Sequence, residues 1–177
     1  MTALAPFVYS RLLEDIRREF PAFKVVPKVG GFWRAIARVM PAAKHFTTTL
    51  GNSIYVPSDW ASRSEEEHYI ILRHERVHMR QQKRLGLGWM PLGLAVFMLL
   101  YALLPLPIGL AWFRYRFERT AYVESLRVHH ELHDASEVRH QLLVYADFLS
   151  GPGYGWSWPR HVIISYFTAA IRNFVRR

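Results

Sequence analysis

The sequence contains no cysteine, and this absence narrows the kinds of site that it can build. Disulfide bonds and thiolate metal ligands are excluded, so any bound metal must be held by histidine, glutamate or aspartate. Acidic residues are also scarce: 14 Asp and Glu stand against 23 Lys and Arg, which gives a net charge of +9. A protein this basic favours polyanions such as nucleic acid, anionic lipid or acidic proteins.

The chain also lacks the signals of several other protein classes. Charges at Arg11, Glu14 and Asp15 interrupt the N-terminal region, which therefore does not resemble a secretory signal peptide. We expect a protein that is cytoplasmic or peripherally associated with a membrane. The absence of a zinc finger or RNP-like motif argues against nucleic acid as a partner. An anionic membrane surface stays open as a partner, and the sequence does not specify an oligomeric state.

An HExxH motif at residues 74–78 is the most specific feature that is present. His74 and His78 are four residues apart, so on a helix their imidazoles lie one above the other and can reach a single ion. Glu75 lies on an adjoining face, where its carboxylate can take a proton from water. One short segment therefore supplies two metal ligands and a general base, as a zinc-dependent hydrolase requires.

The flanking residues put this motif in the middle of a helix. Ser64 and Glu67 form a capping box at the predicted start, and the acidic residues 65–67 suit the positive end of the helix dipole. The other end is basic and closes at Gly86. A surface helix with two ordinary histidines is the alternative interpretation, and the context of the motif argues against it.

A catalytic zinc site needs a third protein ligand and an open position for water. The best candidate is Glu118, in a second segment that is predicted to be helical. Here the chain resembles the gluzincin metallopeptidases, in which a Glu on a second helix completes the site and is often followed three residues later by Ala. Residues 118–122 match that pattern, and the resemblance covers roughly residues 52–124. Many gluzincins have Asp four residues after this ligand, where the chain has Tyr122.

The resemblance implies a zinc-dependent peptidase with a protein or peptide substrate. His74, His78 and Glu118 would bind one Zn²⁺ ion. Glu75 would be the general base for attack of water on the scissile carbonyl. Two imidazoles and a carboxylate suit zinc, although this set alone does not exclude Fe(II). A second donor to the oxyanion is common in such sites, and the candidates are Tyr122, Tyr154 and His133.

Other interpretations stay open at this point. Glu124 is the main rival of Glu118 as third ligand. His129 and His133 share the i, i+4 spacing, which permits a second metal site, but hydrogen-bonded or exposed histidines are the favoured interpretation. The protein could instead be a membrane-associated binding or scaffold module whose zinc site is structural or vestigial. In a third hypothesis the HExxH motif is incidental, and a basic helical protein binds lipid or a partner.

Residues 85–113 carry no charge and are long enough to span a bilayer. Prolines interrupt the segment, and a turn is predicted at residues 104–107. A single crossing would put Glu118 and His74 on opposite sides of the membrane, where they could not share an ion. We therefore predict that the segment returns to its starting side as a buried hairpin, a re-entrant loop or an interfacial element.

The predicted fold is α+β and mostly α, a single domain over residues 1–177 with a zincin-like helical core. A β-hairpin at Phe46–Val56, turning at Gly51-Asn52, is predicted to precede the HExxH helix. Its edge could hold an extended peptide by β-augmentation. The loop at residues 151–159 is predicted to be a substrate-facing flap, an interface anchor or a tight connector whose aromatics plug the core. Further helices are predicted at residues 6–20, 32–40, 114–133, 136–149 and 160–177.

Overall fold

Helices make up most of this computed structural model, which describes residues 7–39, 44–103 and 111–176. Within these residues the α-helices are α1 Phe7–Glu19, α2 Gly31–Val39, α3 Glu65–Leu85, α4 Met90–Met98, α5 Trp112–Leu132, α6 Ala135–Ser150 and α7 Arg160–Val175. The strands are β1 Lys24–Pro27, β2 Thr48–Leu50 and β3 Ser53–Val56. The predicted α+β, mostly α class is confirmed.

The HExxH helix, α3, begins as the sequence predicts. The Ser64 hydroxyl accepts the Glu67 backbone N–H, and the Glu67 carboxylate accepts the Ser64 backbone N–H, which completes the capping box. The helix ends at Gly86. The other predicted helices also occur, within a few residues of their expected bounds. The predicted helix ends Pro6, Met40 and Arg177, and the predicted turn at residues 104–107, lie outside the described residues.

A three-stranded sheet in the order β1-β3-β2 precedes α3. β2 and β3 form the predicted antiparallel hairpin, and its turn uses Gly51 with φ at +60°, a conformation that glycine adopts without a steric penalty. β1 pairs in parallel with β3 and was not predicted, because two valines between Lys24 and Pro27 are too short a pattern to recognise. β2 is therefore an edge strand.

Two apolar clusters lie on either side of the contact between α3 and α5. The first joins α1, the sheet and α3, with a buried core that includes Leu12, Ile16, Phe20, Ile54, Leu72 and Met79. The second joins α5, α6 and α7, with a buried core that includes Tyr115, Leu126, Val138, Leu142, Leu149, Ile163 and Phe167. The predicted apolar stripe of α6 contributes to the second cluster. The α3–α5 pair is thus held from both sides.

The uncharged segment turns sharply away from α3 and returns to α5. The axes of α3 and residues 90–101 are bent by 104°. A π-helical turn at Leu99–Leu103 follows α4. Phe97 stacks on Phe117 of α5, with ring centroids 4.6 Å apart. The described part of this segment therefore packs against both α3 and α5.

No single helix among residues 7–39, 44–103 and 111–176 is both long enough and apolar enough to cross a membrane. The bent pair of α3 and residues 90–101 reaches that length and composition only when the two parts are taken together. α4 is not wholly covered by protein either. Its inner face buries Gly93 and Phe97, whereas its outer face exposes Leu92 and Met98.

Gly93 allows α4 to cross α3 at very short range. A Cβ atom at this position would lie 1.9 Å from the backbone oxygen of Gln82 and 3.1 Å from the Gly86 nitrogen. Such contacts are far below van der Waals distance, so any larger residue would push the helices apart. The approach places the end of α4 beside the HExxH residues.

We expect Gly93→Ala to lower the free energy of unfolding by about 2 kcal/mol or more, because the added methyl group overlaps backbone rather than a movable side chain. Gly31→Ala is the matched control, since nothing lies within 4 Å of its Cβ position. It should change the free energy by no more than about 0.5 kcal/mol. Urea unfolding of both variants checks this, and equal stability of the two would contradict the proposed close approach.

Candidate metal centre

The structure brings the three predicted ligands together. His74 and His78 lie one turn apart on α3, and Glu118 faces them from α5. The Nε2 atoms of His74 and His78 are 3.2 Å apart. His74 Nε2 is 3.6 Å from Glu118 Oε2, and His78 Nε2 is 3.6 Å from Glu118 Oε1. This is the only group of three or more potential metal ligands within the described ranges.

These distances fit a zinc ion. Nitrogen and oxygen ligands bind zinc at roughly 2.0–2.1 Å in a tetrahedron, which puts neighbouring ligand atoms roughly 3.3–3.4 Å apart. The two imidazole nitrogens are 3.2 Å apart, and each lies 3.6 Å from a different oxygen of the Glu118 carboxylate, so the spacing of the three side chains is close to that of zinc ligands. Three protein ligands leave the fourth position open, which is the arrangement of catalytic rather than structural zinc sites.

The carboxylate of this group is buried, and its charge is compensated by the histidines. Burial disfavours ionisation, yet His78 and His74 hold the pKa of Glu118 well below its usual range. Burial likewise disfavours the charged ring of His78, but Glu118 outweighs it and raises the pKa of His78 to about 9. An ionised carboxylate in this position requires a positive partner, either an imidazolium or a bound cation.

Hydrogen bonds orient both imidazoles from the side away from Glu118. His74 Nδ1 lies 3.2 Å from the Ser125 hydroxyl, and His78 Nδ1 lies 2.9 Å from Gln81 Oε1. Gln81 in turn donates to the backbone oxygen of Phe117 at 3.0 Å. A proton on each Nδ1 satisfies these contacts and leaves the Nε2 lone pairs for a metal. Ser125 and Gln81 are therefore the partners that set the orientation of the two rings.

Tyrosine hydroxyls surround Glu118. Tyr101 donates to Glu118 Oε1 at 2.6 Å, and Tyr154 donates to Oε2 at 3.3 Å. Tyr122 contacts the Tyr154 hydroxyl at 2.8 Å, and its ring lies edge-on to His74. Burial, reinforced by the Glu118 charge, raises the pKa of Tyr101 and Tyr154 well above its usual value. Both remain protonated donors at neutral pH.

Glu75 is buried beside the ligand group without belonging to it. Its Oε2 accepts a hydrogen bond of 2.5 Å from the Thr49 hydroxyl of β2. Lys28 lies nearby, where its Nζ donates to the backbone oxygen of Phe46 and to the Thr48 hydroxyl. Burial lowers the pKa of Lys28 to about 8, although the Glu75 carboxylate acts in the opposite direction. The end of the hairpin therefore orients the predicted general base.

A cleft of about 340 Å³ opens onto the three ligands and Glu75. β2 forms one wall, and Tyr101, Arg114 and Tyr154 line the region near Glu118. The remaining wall is apolar and comes mainly from α2 and α4, through Phe32, Trp33, Ile36, Phe46, Phe97 and Met98. A largely apolar concavity with a few converging polar groups is the usual form of a substrate site.

Family models, curated proteins and solved structures offer no match to this chain. The resemblance to gluzincins therefore stays a prediction that depends on the motif and on the geometry of the three ligands.

Three of the alternative candidates have other partners. Glu124 forms ion pairs with Arg73 and Arg127 instead of joining the metal group. His133 forms a hydrogen bond of 2.7 Å with Glu66 and is not among the residues that line the cleft. His129 contacts the Tyr145 hydroxyl at 3.0 Å. The described residues provide no second metal group, which agrees with the favoured hydrogen-bonded interpretation of these histidines.

The glycine-rich loop at residues 151–159 contributes side chains both to the cleft and to the second apolar cluster. Tyr154 faces the cleft, whereas Trp158 stacks on Tyr115 with ring centroids 5.2 Å apart and plugs the second apolar cluster. The sequence did not single out Thr49, Gln81, Ser125 or Tyr101. Only Gln81 had a local signal, because it lies one turn after His78.

We expect the purified protein to bind one zinc ion per chain. His78→Ala and Glu118→Gln each remove a ligand, so both should weaken zinc binding by more than about 100-fold. Glu124→Gln, on the same helix as Glu118, should keep the affinity of the wild type. Zinc titration of the metal-free variants, together with native mass spectrometry, measures this. Unchanged affinity in Glu118→Gln would contradict the proposed ligand set.

Tyr101→Phe is expected to weaken zinc binding by about 10-fold, because it removes the shortest hydrogen bond to Glu118 while keeping the ring. The control is Tyr166→Phe on α7, which does not line the cleft. Both variants should unfold at similar temperatures. If the two titration curves coincide, the Tyr101 hydroxyl does not help to hold the ligand.

Proposed function

We propose that the protein is a zinc-dependent peptidase that hydrolyses peptide bonds with Glu75 as general base. The observation that carries the proposal is a buried glutamate beside three zinc-type ligands, with all four side chains lining one cleft. A zinc ion held by His74, His78 and Glu118 would supply Lewis acidity, lowering the pKa of water and polarising a carbonyl group.

Glu75 performs the proton transfers in this proposal. Its carboxylate takes a proton from water as the water oxygen bonds to the scissile carbonyl carbon. It then passes the proton to the leaving amine as the C–N bond breaks. The Thr49 hydrogen bond occupies one lone pair of Oε2 and restricts rotation of the carboxylate. The remaining carboxylate lone pairs stay available for the water.

Tyr154 is the better placed donor to the developing oxyanion. Tyr101 makes a short bond of 2.6 Å to Glu118, whereas the bond of Tyr154 is 3.3 Å long. Tyr154 can give up its longer hydrogen bond to Glu118 at a lower cost in free energy and donate to the oxyanion instead. Its raised pKa keeps the hydroxyl protonated. A donor of this kind stabilises charge that appears only in the transition state.

The cleft favours a peptide with a bulky apolar side chain near the scissile bond, because α2 and α4 supply aromatic and aliphatic walls. Extended substrate could add to the edge of β2. The Thr49 backbone oxygen already accepts a bond from Gln82 at 3.2 Å. Substrate pairing would therefore use the end of the strand near Thr48.

A structural zinc site in a scaffold module is less well supported. Such sites are normally closed by four protein ligands, and the group found among the described residues has three. We place the activity in the cytoplasm or at a membrane surface, as expected from the sequence. The net charge of +9 favours an anionic surface.

Glu75→Gln should abolish hydrolysis of a peptide library, with a loss of about 10²-fold or more, while zinc affinity stays unchanged. Glu65→Gln, an exposed position on the same helix, is the control and should keep full activity. Mass spectrometry of the products measures both. Zinc-loaded wild type without activity on any library peptide would favour the scaffold hypothesis, and equal activity of Glu75→Gln would exclude Glu75 as the base.

A further inference from the structure

A second cavity, of about 430 Å³, shares Trp33 with the metal cleft. Four of its lining side chains are cationic, namely Lys28, Arg34, Arg38 and Lys44. The other described lining residues are Trp33, Ala37 and Ser58, so none of the described residues in the lining is acidic. We call it the cationic cavity. Side chains of one charge repel each other, so their convergence requires compensation from an anion or from water.

The charges at the mouth of the cationic cavity are not compensated by carboxylates. Arg34, Arg38 and Lys44 are exposed, and within residues 7–39, 44–103 and 111–176 none of them forms an ion pair. Arg34 and Arg38 are four residues apart on α2, a spacing at which like charges destabilise a helix. Asp59, beside Ser58 in the chain, is paired with Arg63 instead.

The inner end of the cationic cavity is rigidly built. Lys28 lies with its Nζ 4.6 Å from the centroid of the Trp33 ring. The same Nζ donates to the backbone oxygen of Phe46 at 2.6 Å and to the Thr48 hydroxyl at 2.7 Å. One cation of the lining is thus held in place, and the arginines of α2 contribute to the same cavity.

Two large apolar side chains next to residues of this cavity in the sequence are exposed to solvent. Val29 is 74% exposed and Phe32 is 62% exposed, and both lie in the segment that leads from β1 into α2. Exposed apolar side chains next to clustered Lys and Arg are the pattern of proteins that bind an anionic membrane interface. A soluble anion would account for the cations but not for the exposed Val29.

We propose that the cationic cavity binds the phosphate group of an anionic lipid, with Val29 and Phe32 inserted among the head groups. Phe32 and Trp33 also line the metal cleft, so the cleft would open close to the membrane surface. If the proposed peptidase function holds, its substrate is a peptide segment at that surface. Lipid binding itself does not depend on the peptidase function.

The test is flotation of the full chain with phosphatidylcholine vesicles, with and without phosphatidylglycerol. Wild type should bind only the anionic vesicles. Arg34→Gln with Arg38→Gln should weaken binding by about 10-fold or more. Arg139→Gln with Arg172→Gln removes the same charge from exposed positions of α6 and α7 and should have a much smaller effect. Val29→Ser should also weaken binding.

Several results would overturn the proposal. Equal losses in the two double variants would show diffuse attraction of a basic surface rather than a site. Calorimetry with inorganic phosphate tests whether the ligand is a soluble anion instead of a lipid. A soluble ligand would be indicated if wild type binds phosphate but not vesicles, and if Arg34→Gln with Arg38→Gln abolishes the phosphate binding. Circular dichroism and zinc titration of each variant keep loss of fold or metal separate from loss of lipid binding.

Discussion

The need to stabilise the charge of one buried carboxylate, that of Glu118, constrains how α3 and α5 are placed against each other. Glu118 is only 4% exposed, and the groups that stabilise its charge belong to other parts of the chain. The imidazoles of His74 and His78 face it from α3, and two tyrosine hydroxyls donate to it. An unpaired carboxylate would be very costly in this place, so α3 and α5 must stay in register. The two apolar clusters on either side of this helix pair maintain that register.

The uncharged segment after α3 contributes to the same arrangement. Its composition suggests a membrane span, but the close approach at Gly93 and the bend of 104° bring it back to α5. The π-helical turn then delivers Tyr101 to Glu118. Irregular turns of this kind often occur at functional sites, because they aim a side chain that a regular helix would direct elsewhere. Of the α4 side chains, the exposed Met98 and the buried Phe97 help to form the wall of the cleft.

The two cavities share Trp33 and differ in character. The metal cleft is mainly apolar with a polar centre, whereas the cationic cavity is lined by like charges. Lys28 lies between them, bonded to the hairpin whose Thr49 orients Glu75. A ligand in the cationic cavity would therefore act on the same hairpin that positions the general base. This proximity connects the proposed membrane contact with the proposed chemistry.

Local sequence patterns determined a large part of the fold. The capping box of α3, the hairpin at Gly51-Asn52 and the apolar stripe of α6 each depend on residues a few positions apart, and each occurs as predicted. β1 was missed because its pairing with β3 depends on a partner far along the chain. The site contains contacts of the same long-range kind, such as the hydrogen bond from Thr49 to Glu75, which are 26 positions apart in the sequence.

The sequence by itself determined that His74, Glu75 and His78 share one helix, with the histidines on one face, because the helical period of 3.6 residues sets those directions. Tertiary structure decided that Glu118 rather than Glu124 meets the histidines, although both lie on α5. It also decided that Tyr101 and Ser125 support the ligands. Which side chains meet across two helices depends on how the helices cross and rotate. That geometry results from packing of the whole core and is not encoded in any local pattern.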